Sequence, residues 1–311
     1  MAKKISVGID LGGTNIRAAI VDENGAVLVR EKMKTPREGG AQRIIHSIVS
    51  IMHAVLRLSK NSSKDIDGMG IGMPGPLNSE TGQIAFMPNV SGFDSYPARR
   101  EIEKQSGVRT VILNDADAAA IGEHRCGAAK GKNRFVMLTL GTGLGSSIVI
   151  GGKPWAGQDG YSTEMGHIPI FNSEDMCSCR KRAHSESRLS IQGLFTDYSN
   201  QKGSHLQKQS FTVQSLFELA RKGDPVASGV VERYAEALGR VICVAAIMLN
   251  IRFFVVGGGI SSSFDILKHT VYQVIDKYGF PPLTDNIVIR KSYLENDAAV
   301  IGAGLFVLTD S

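Results

Sequence analysis

Apolar positions alternate with polar or small ones over residues 5–9, stop at Asp10-Leu11-Gly12-Gly13-Thr14, and resume over residues 16–21 with Arg17 the one polar position, with a third short run over 26–31. Period two before a glycine turn and a short apolar run after it predict strand, turn and strand. The period then changes: Ile44, Ile48, Ile51, Met52 and Val55 share one face at helical spacing, which predicts an amphipathic helix over 41–58. Residues 66–72 and 108–113 read as buried strands, and 115–124 as an alanine-rich helix that begins where the second of these stops and links a first domain to a second. Strands return at 135–140 and 145–150, followed by helices at 188–200, 211–222 and 225–250. In the last, Val226, Val230, Tyr234, Leu238, Val241, Ala245 and Leu249 recur every three or four residues and form a core-facing stripe. A buried strand at 253–256 precedes a helix starting near 261–263. The apolar, small-residue segment 298–308 predicts a helix packed closely against another. The alternation is that of an α/β protein, and its two halves share a strand, glycine turn, strand beginning.

The strand ends carry glycine. Gly12, Gly13 and Thr14 close the first strand, Gly141, Thr142 and Gly143 join 135–140 to the apolar run 146–150, and Gly257, Gly258 and Gly259 follow 253–256. Without a Cβ in the way, successive N–H groups of the first two bends can converge on phosphate oxygens, and Asp10 can hold a hydrated Mg²⁺. The third cluster would let a flat adenine ring lie on the backbone. Taken alone, the first bend suits a plain hairpin equally well. None matches the dinucleotide fingerprint GxGxxG or the phosphate loop GxxxxGK[ST], which disfavours the two commonest nucleotide folds. Three such clusters spread along the chain argue for a nucleotide held between two domains.

Composition narrows the class. A chain of 311 residues, 42% hydrophobic and 21% charged, is that of a soluble globular protein with material for two cores. The N-terminus runs straight into a strand without a secretory signal, and no stretch approaches the ~18 consecutive apolar residues of a membrane span, so a cytoplasmic protein with no membrane partner is expected. Net charge is +5 but scattered; Arg180, Lys181 and Arg182 form the one dense cluster, without interleaved aromatics. That cluster reads as a solvated loop, and no nucleic-acid partner is expected. The four cysteines do not form a secreted disulfide pattern.

Asn114 and Asp115 sit at the carboxyl end of the strand 108–113, where ligands bind in open α/β sheets, and at the start of a helix. Both residue types cap helices, so a structural use and a chemical one fit the local pattern equally well. Phosphoryl transfer to an alcohol needs a carboxylate to accept the hydroxyl proton, and Asp115 is the candidate. A further constellation is Glu164, His167, Cys177, Cys179, His184 and Glu186. Its histidines and cysteines, at spacings of ten, two and five, offer four ligands for tetrahedral Zn²⁺. Singly such residues are mostly structural; their coincidence within eighteen residues points to a metal. Glu164 and Glu186 flank the ligands, and a zinc clamp would turn both carboxylates to one pocket suited to vicinal sugar hydroxyls.

On these motifs the chain resembles the ROK family (repressors, open-reading-frame proteins, sugar kinases) over roughly residues 5–308. The resemblance rests on Asp10-Leu11-Gly12-Gly13-Thr14, Gly72-Met73-Pro74-Gly75, Pro88-Asn89, Asn114-Asp115, Leu140-Gly141-Thr142-Gly143, Glu164-x-Gly166-His167, Cys177-x-Cys179 and Gly257-Gly258-Gly259. It implies an α/β, actin-like ATPase (ribonuclease H-like) fold with two domains around a central cleft. The smaller would comprise 1–116 plus 297–311, with the first phosphate loop and Asp115; the larger, 117–296, would carry the second phosphate loop, the zinc loop and the adenosine site. The resemblance further implies ATP-dependent phosphorylation of a hexose, commonly at the 6-hydroxyl, with Asp115 as base. Asn89, Asn114, Glu164, His167 and Glu186 would contact the sugar, with Gly75 approaching through its backbone. A homodimer is implied on the same ground.

One departure stands out. Family members usually read Cys-x-Cys-Gly-x-x-Gly-Cys-x-Glu, whereas this chain has Arg180 and Ala183 for the glycines and His184 for the last cysteine. Imidazole can replace thiolate at zinc, but the loop lacks its usual turn residues, which puts metal binding and, through Glu186, sugar affinity at stake. Two function classes fit the family. One is a sugar kinase, glucokinase-like by default; the other is a sugar-sensing transcriptional regulator, which needs a helix-turn-helix usually ahead of the first strand. Only nine residues precede Asp10, and Asp115 is present, so an enzyme is expected. Glucose, mannose, fructose, allose and the N-acetylated hexosamines all stay open as substrates. Lys153-Pro154-Trp155-Ala156-Gly157 with Gly166-His167-Ile168-Pro169 is similar to the allose kinase branch.

Overall fold

The structure is a computed structural model and describes residues 4–78, 81–85, 93, 96–171, 174–203 and 211–309. In chain order the first elements are β1 (Ile5–Leu11), β2 (Asn15–Asp22), β3 (Val27–Lys34), α1 (Gly40–Ser59), β4 (Met69–Met73), β5 (Leu77–Asn78), β6 (Gln83–Ile84), α2 (Ala98–Ser106), β7 (Thr110–Asn114) and α3 (Asp115–Cys126). Then come β8 (Arg134–Leu140), β9 (Leu144–Ile150), β10 (Lys153–Pro154), α4 (Ile191–Lys202), α5 (Val213–Arg221) and α6 (Pro225–Leu249). The chain continues through β11 (Phe253–Gly257), α7 (Phe264–Tyr278), α8 (Pro281–Thr284), β12 (Val288–Lys291) and α9 (Ala298–Thr309). It divides into two compact units. The first holds the described residues up to Met137, Ser147–Thr163 and those from Ser292 onward; the second holds Leu138–Ser146 and Glu164–Lys291.

The first unit is built on a sheet of order β3-β2-β1-β4-β7, in which β1, β2 and β3 are an antiparallel meander and β1, β4 and β7 run parallel. Period two sorts β1 between two faces. Ile5, Val7, Ile9 and Leu11 join Ile44, Ile48, Ile51, Met52 and Val55 of α1 in one core, as the helical spacing predicts. Ser6 and Gly8 turn to α9 instead: the Ser6 hydroxyl donates to the Gly304 carbonyl at 2.8 Å, and a Cβ on Gly8 would strike the Val300 carbonyl. Gly70 of β4 faces Ala303 in the same way, and α9 packs on α3 through Gly302 against Ala118 and Gly122 against Ala298. The small residues of the C-terminal helix therefore bring backbone against backbone. The β4 strand starts at Met69 rather than 66, because the Asp67 carboxylate accepts the Ile5 N–H and Gly68 takes a φ of +155°.

The second sheet has the order β10-β9-β8-β11-β12, with β9 and β10 antiparallel and β11 and β12 parallel. In the second unit, α6 starts at a capping Asp224 whose carboxylate accepts the Ala227 N–H at 2.8 Å, with Pro225 in the first turn where its missing N–H costs nothing. Val230, Tyr234, Leu238, Val241 and Ala245 are buried along its predicted stripe. After β11 the chain makes a short 3₁₀ turn, Gly259–Ser263, before α7. No helix among the described residues is long and apolar enough to cross a membrane.

Candidate functional site

In the first unit the register of the sheet gathers the strand-end residues: Asp10 lies beside Gly72, Gly72 beside Leu113, and Met73 beside Asn114. The bend after β1 is closed by the Gly12 N–H on the Asn15 carbonyl at 3.0 Å and by the Thr35 hydroxyl on the Gly12 carbonyl at 2.6 Å. Gly13 and Thr14 are exposed at its tip. Asp10 is buried, and its Oδ2 meets Nη1 of Arg17, its register partner on β2, at 3.0 Å. Burial raises the Asp10 pKa, while the Arg17 charge and hydrogen bond pull it back.

The cap and the acid are different residues. Asn114 Oδ1 accepts the N–H groups of Ala116 at 2.9 Å and Asp117 at 3.2 Å, which is N-cap geometry, and its Nδ2 donates to the Gly75 carbonyl at 3.2 Å. Asp115 is thereby left at the first helical position, with Oδ1 accepting the Ala116 N–H at 2.8 Å. Burial, then the charge of Asp10, push its carboxyl up to about 7, with Asp117 adding to the rise. A carboxylate poised there is matched to taking a proton near neutral pH. Asn89 lies outside the described residues.

Sequence reasoning missed Arg17 and Asp117. Arg17 is found only by counting register across the first hairpin, which sets it opposite Asp10. Asp117 is an acid among the alanines of α3; it is buried, accepts the Ser162 hydroxyl, and its pKa is raised by burial.

In the second unit the remaining motifs converge. Gly258, at φ +82°, lies so close to the backbone of Leu140 that a Cβ would collide with it, so the third glycine cluster abuts the strand end that leads into Gly141, Thr142 and Gly143. Glu186 Oε2 accepts the Leu144 N–H at 3.1 Å, directly after that bend. Its Oε1 accepts the Ser178 hydroxyl at 2.6 Å and faces Cys177 Sγ at 3.5 Å.

His167, Cys177, Cys179 and His184 form one cluster whose ligand atoms all lie within 4.8 Å of one another. The two Nδ1 atoms are 3.2 Å apart, Cys177 Sγ is 3.6 Å from Nδ1 of His167, and Cys179 Sγ is 3.3 Å from Nδ1 of His184. Edges of a tetrahedron around Zn²⁺ measure about 3.3 Å between nitrogens and about 3.6 Å from nitrogen to sulfur, so the four residues fit the metal. Burial and the neighbouring His167 lower the His184 pKa and favour its neutral, ligating form. Burial and Glu186 push the Cys177 thiol up to about 11 in the metal-free protein. The Nε2 of His167 faces Glu164 Oε2 at 4.0 Å, so this ring points one nitrogen at the cluster and the other at a carboxylate. The loop keeps its turns without glycine: Arg180 and Ala183 adopt φ +66° and +62°, and the Arg180 N–H donates to the Cys177 carbonyl at 2.9 Å.

Comparison with known proteins agrees with these motifs. The chain is 30% identical to the glucokinase of Thermotoga maritima over 99% of its own length and 98% of that protein's. It is 31% identical to the glucokinase of Halalkalibacterium halodurans, covering 99% and 96% respectively. A ROK family glucokinase from Streptomyces griseus, solved with glucose and AMPPNP, superposes with a TM-score of 0.83 at 28% identity, covering 96% of this chain and 97% of that one. That structure and the ROK hexokinase of Thermus thermophilus have the two-domain actin-like ATPase fold, the fold class expected from the motifs. The ROK family model matches residues 6–310, and the chain belongs to the ROK family.

Proposed function

We propose that the protein is an ATP-dependent hexose kinase that transfers the γ-phosphoryl group to the 6-hydroxyl of glucose or a closely related hexose, with Asp115 as general base. The observation that carries this reading is Asp115 itself, held at the start of α3 beside Asp10 with its carboxyl pushed up to about 7. In the reaction the sugar oxygen bonds to the γ-phosphorus, the bond to the bridging oxygen of ADP breaks, and the hydroxyl proton passes to Asp115. Asn114 fixes the helix start by capping it, so Asp115 is spared that task. Amides of Gly13, Thr14, Thr142 and Gly143 donate to phosphate oxygens, with Gly12 and Gly141 closing the bends that present them, and the cluster Gly257, Gly258 and Gly259 offers adenine a bare backbone at Gly259, Gly258 being taken up by its contact with Leu140. Mg²⁺, when bound through Asp10 and the nucleotide, neutralises phosphate charge. Zn²⁺, held by His167, Cys177, Cys179 and His184, is structural and fixes the loop that carries Glu186. Gly75, Asn89, Asn114, Glu164, His167 and Glu186 take the sugar hydroxyls. The glucokinases at 30–31% identity favour glucose, and a homodimer is the assembly the family resemblance implies.

An ADP-release assay over glucose, mannose, fructose, allose and N-acetylated hexosamines tests the reading, with Asp115→Asn as control. Turnover of one of them that collapses in the variant is the expected result. Absence of hexose-dependent ADP release, or full turnover in Asp115→Asn, would refute it.

A further inference from the structure

Glu186 makes a contact that holding a sugar does not require. Its Oε2 accepts the N–H of Leu144, forty-two residues away in the chain, at 3.1 Å. Leu144 is the residue directly after the glycine bend. Within the bend, the Gly141 N–H is used by the Gly143 carbonyl at 3.0 Å, whereas those of Thr142 and Gly143 meet no protein acceptor among the described residues. The next amide in the series is the one occupied by a carboxylate. The seat is shaped for it: a Cβ on Gly143 would strike Glu186 Oε2, and a Cβ on Gly166 would strike the Leu144 carbonyl and lie 3.6 Å from the Glu186 Cβ.

We propose that Glu186 makes phosphoryl transfer conditional on sugar. Without sugar, its carboxylate stands where a phosphate oxygen would sit at the second bend; a sugar draws it away, and the bend then takes the nucleotide at full affinity. This rests on the kinase reading. The competition is one of like for like, since a carboxylate and a phosphate oxygen seek the same N–H donor and repel one another. Vicinal sugar hydroxyls offer two donors to the two carboxylate oxygens, replacing Leu144 N–H and the Ser178 hydroxyl now bound there. What the arrangement suppresses is transfer to water, in which a water oxygen bonds to the γ-phosphorus, the bridging bond breaks, ADP and inorganic phosphate leave, and a proton passes to solvent.

The test is calorimetric binding of Mg²⁺-AMPPNP to wild type, Glu186→Gln and Glu186→Ala, with and without the most active hexose of the panel. Wild type is expected to bind the analogue about fivefold or more tightly with sugar than without. Glu186→Ala should show that tighter affinity without sugar and gain nothing when sugar is added, with Glu186→Gln in between. Sugar-free phosphate release from ATP should rise in the same order. Glucose-type hexose alone should also shift the Leu144 amide resonance of ¹⁵N-labelled wild type, a readout that needs no variant to fold. Equal sugar-free affinities in wild type and Glu186→Gln, or an unmoved Leu144 resonance, would overturn the proposal while an active wild type left the kinase reading standing. A wild type that bound no nucleotide and phosphorylated no hexose would overturn both.

Discussion

Arg17 Nη1 lies 3.0 Å from Oδ2 of Asp10, directly across the first hairpin. Burial raises the pKa of this carboxyl and the guanidinium opposes the rise, favouring the anion that a metal needs. Arg17→Gln removes the charge at similar shape. The Mg²⁺ concentration for half-maximal turnover should then rise several-fold at fixed ATP and hexose, with KM for the sugar unchanged. An unchanged Mg²⁺ titration would show that Arg17 does not serve Asp10.

Asp115 should set the acid limb of activity. With its carboxyl at about 7, kcat/KM for the hexose should fall as pH drops below 7, and Asp115→Asn should lower turnover by roughly 10²–10⁴-fold while sugar binding persists. A flat profile between pH 6 and 8 would contradict this.

The same acid has an opposite effect on stability. Its folded pKa is raised above the ordinary 3.8, so its contribution favours the fold below about pH 4 and is lost as pH rises through about 7. Above that, the fold holds an ionised carboxylate against burial. Asp115→Asn should therefore be more stable than wild type at pH 8, by on the order of 1–2 kcal/mol, with the gap narrowing toward pH 4. Urea midpoints across that range measure it.

Arg180 and Ala183 hold left-handed backbone at φ +66° and +62°, a conformation that costs an L-residue about 1 kcal/mol and glycine almost nothing. Arg180→Gly with Ala183→Gly should relieve that strain. The double variant is expected to retain zinc against a chelator at higher chelator concentration than wild type, read by elemental analysis after dialysis. Weaker retention would mean that the turn is not what limits metal affinity.

Gly302 packs on the Ala118 carbonyl where α9 meets α3, and backbone on both sides leaves no space for a methyl. Gly302→Ala should destabilise the protein by about 2 kcal/mol or more despite its better helix propensity. Thermal denaturation checks the sign: a gain would mean the helices separate freely.

The elements were legible where the signal is local. The strand runs around Asp10 to Thr14 and the helical stripes of α1 and α6 needed only neighbours in sequence; α1 buries every residue its stripe names, and α6 all but Val226 and Leu249 near its ends, which are half-buried. Asn114 and Asp115 show the limit: both types cap helices, and only the hydrogen bonds show that Asn114 caps while Asp115 does not. Gly258 shows another. A bare backbone is as useful to an adenine ring as to a neighbouring strand, and the close partner present here is Leu140. Contacts such as Leu144 with Glu186 depend on how distant segments are brought together, which no window of sequence contains.

The placement of α9 bears on how the protein is made. Its residues close the glycine-lined side of the first sheet, yet they are translated after the whole segment 164–291. On the ribosome, β1, β2 and β4 must wait with that side open while the intervening unit is synthesised and can fold. The nascent chain thus exposes a half-finished core for most of its synthesis, a window in which chaperone binding would matter more than for a unit encoded without interruption.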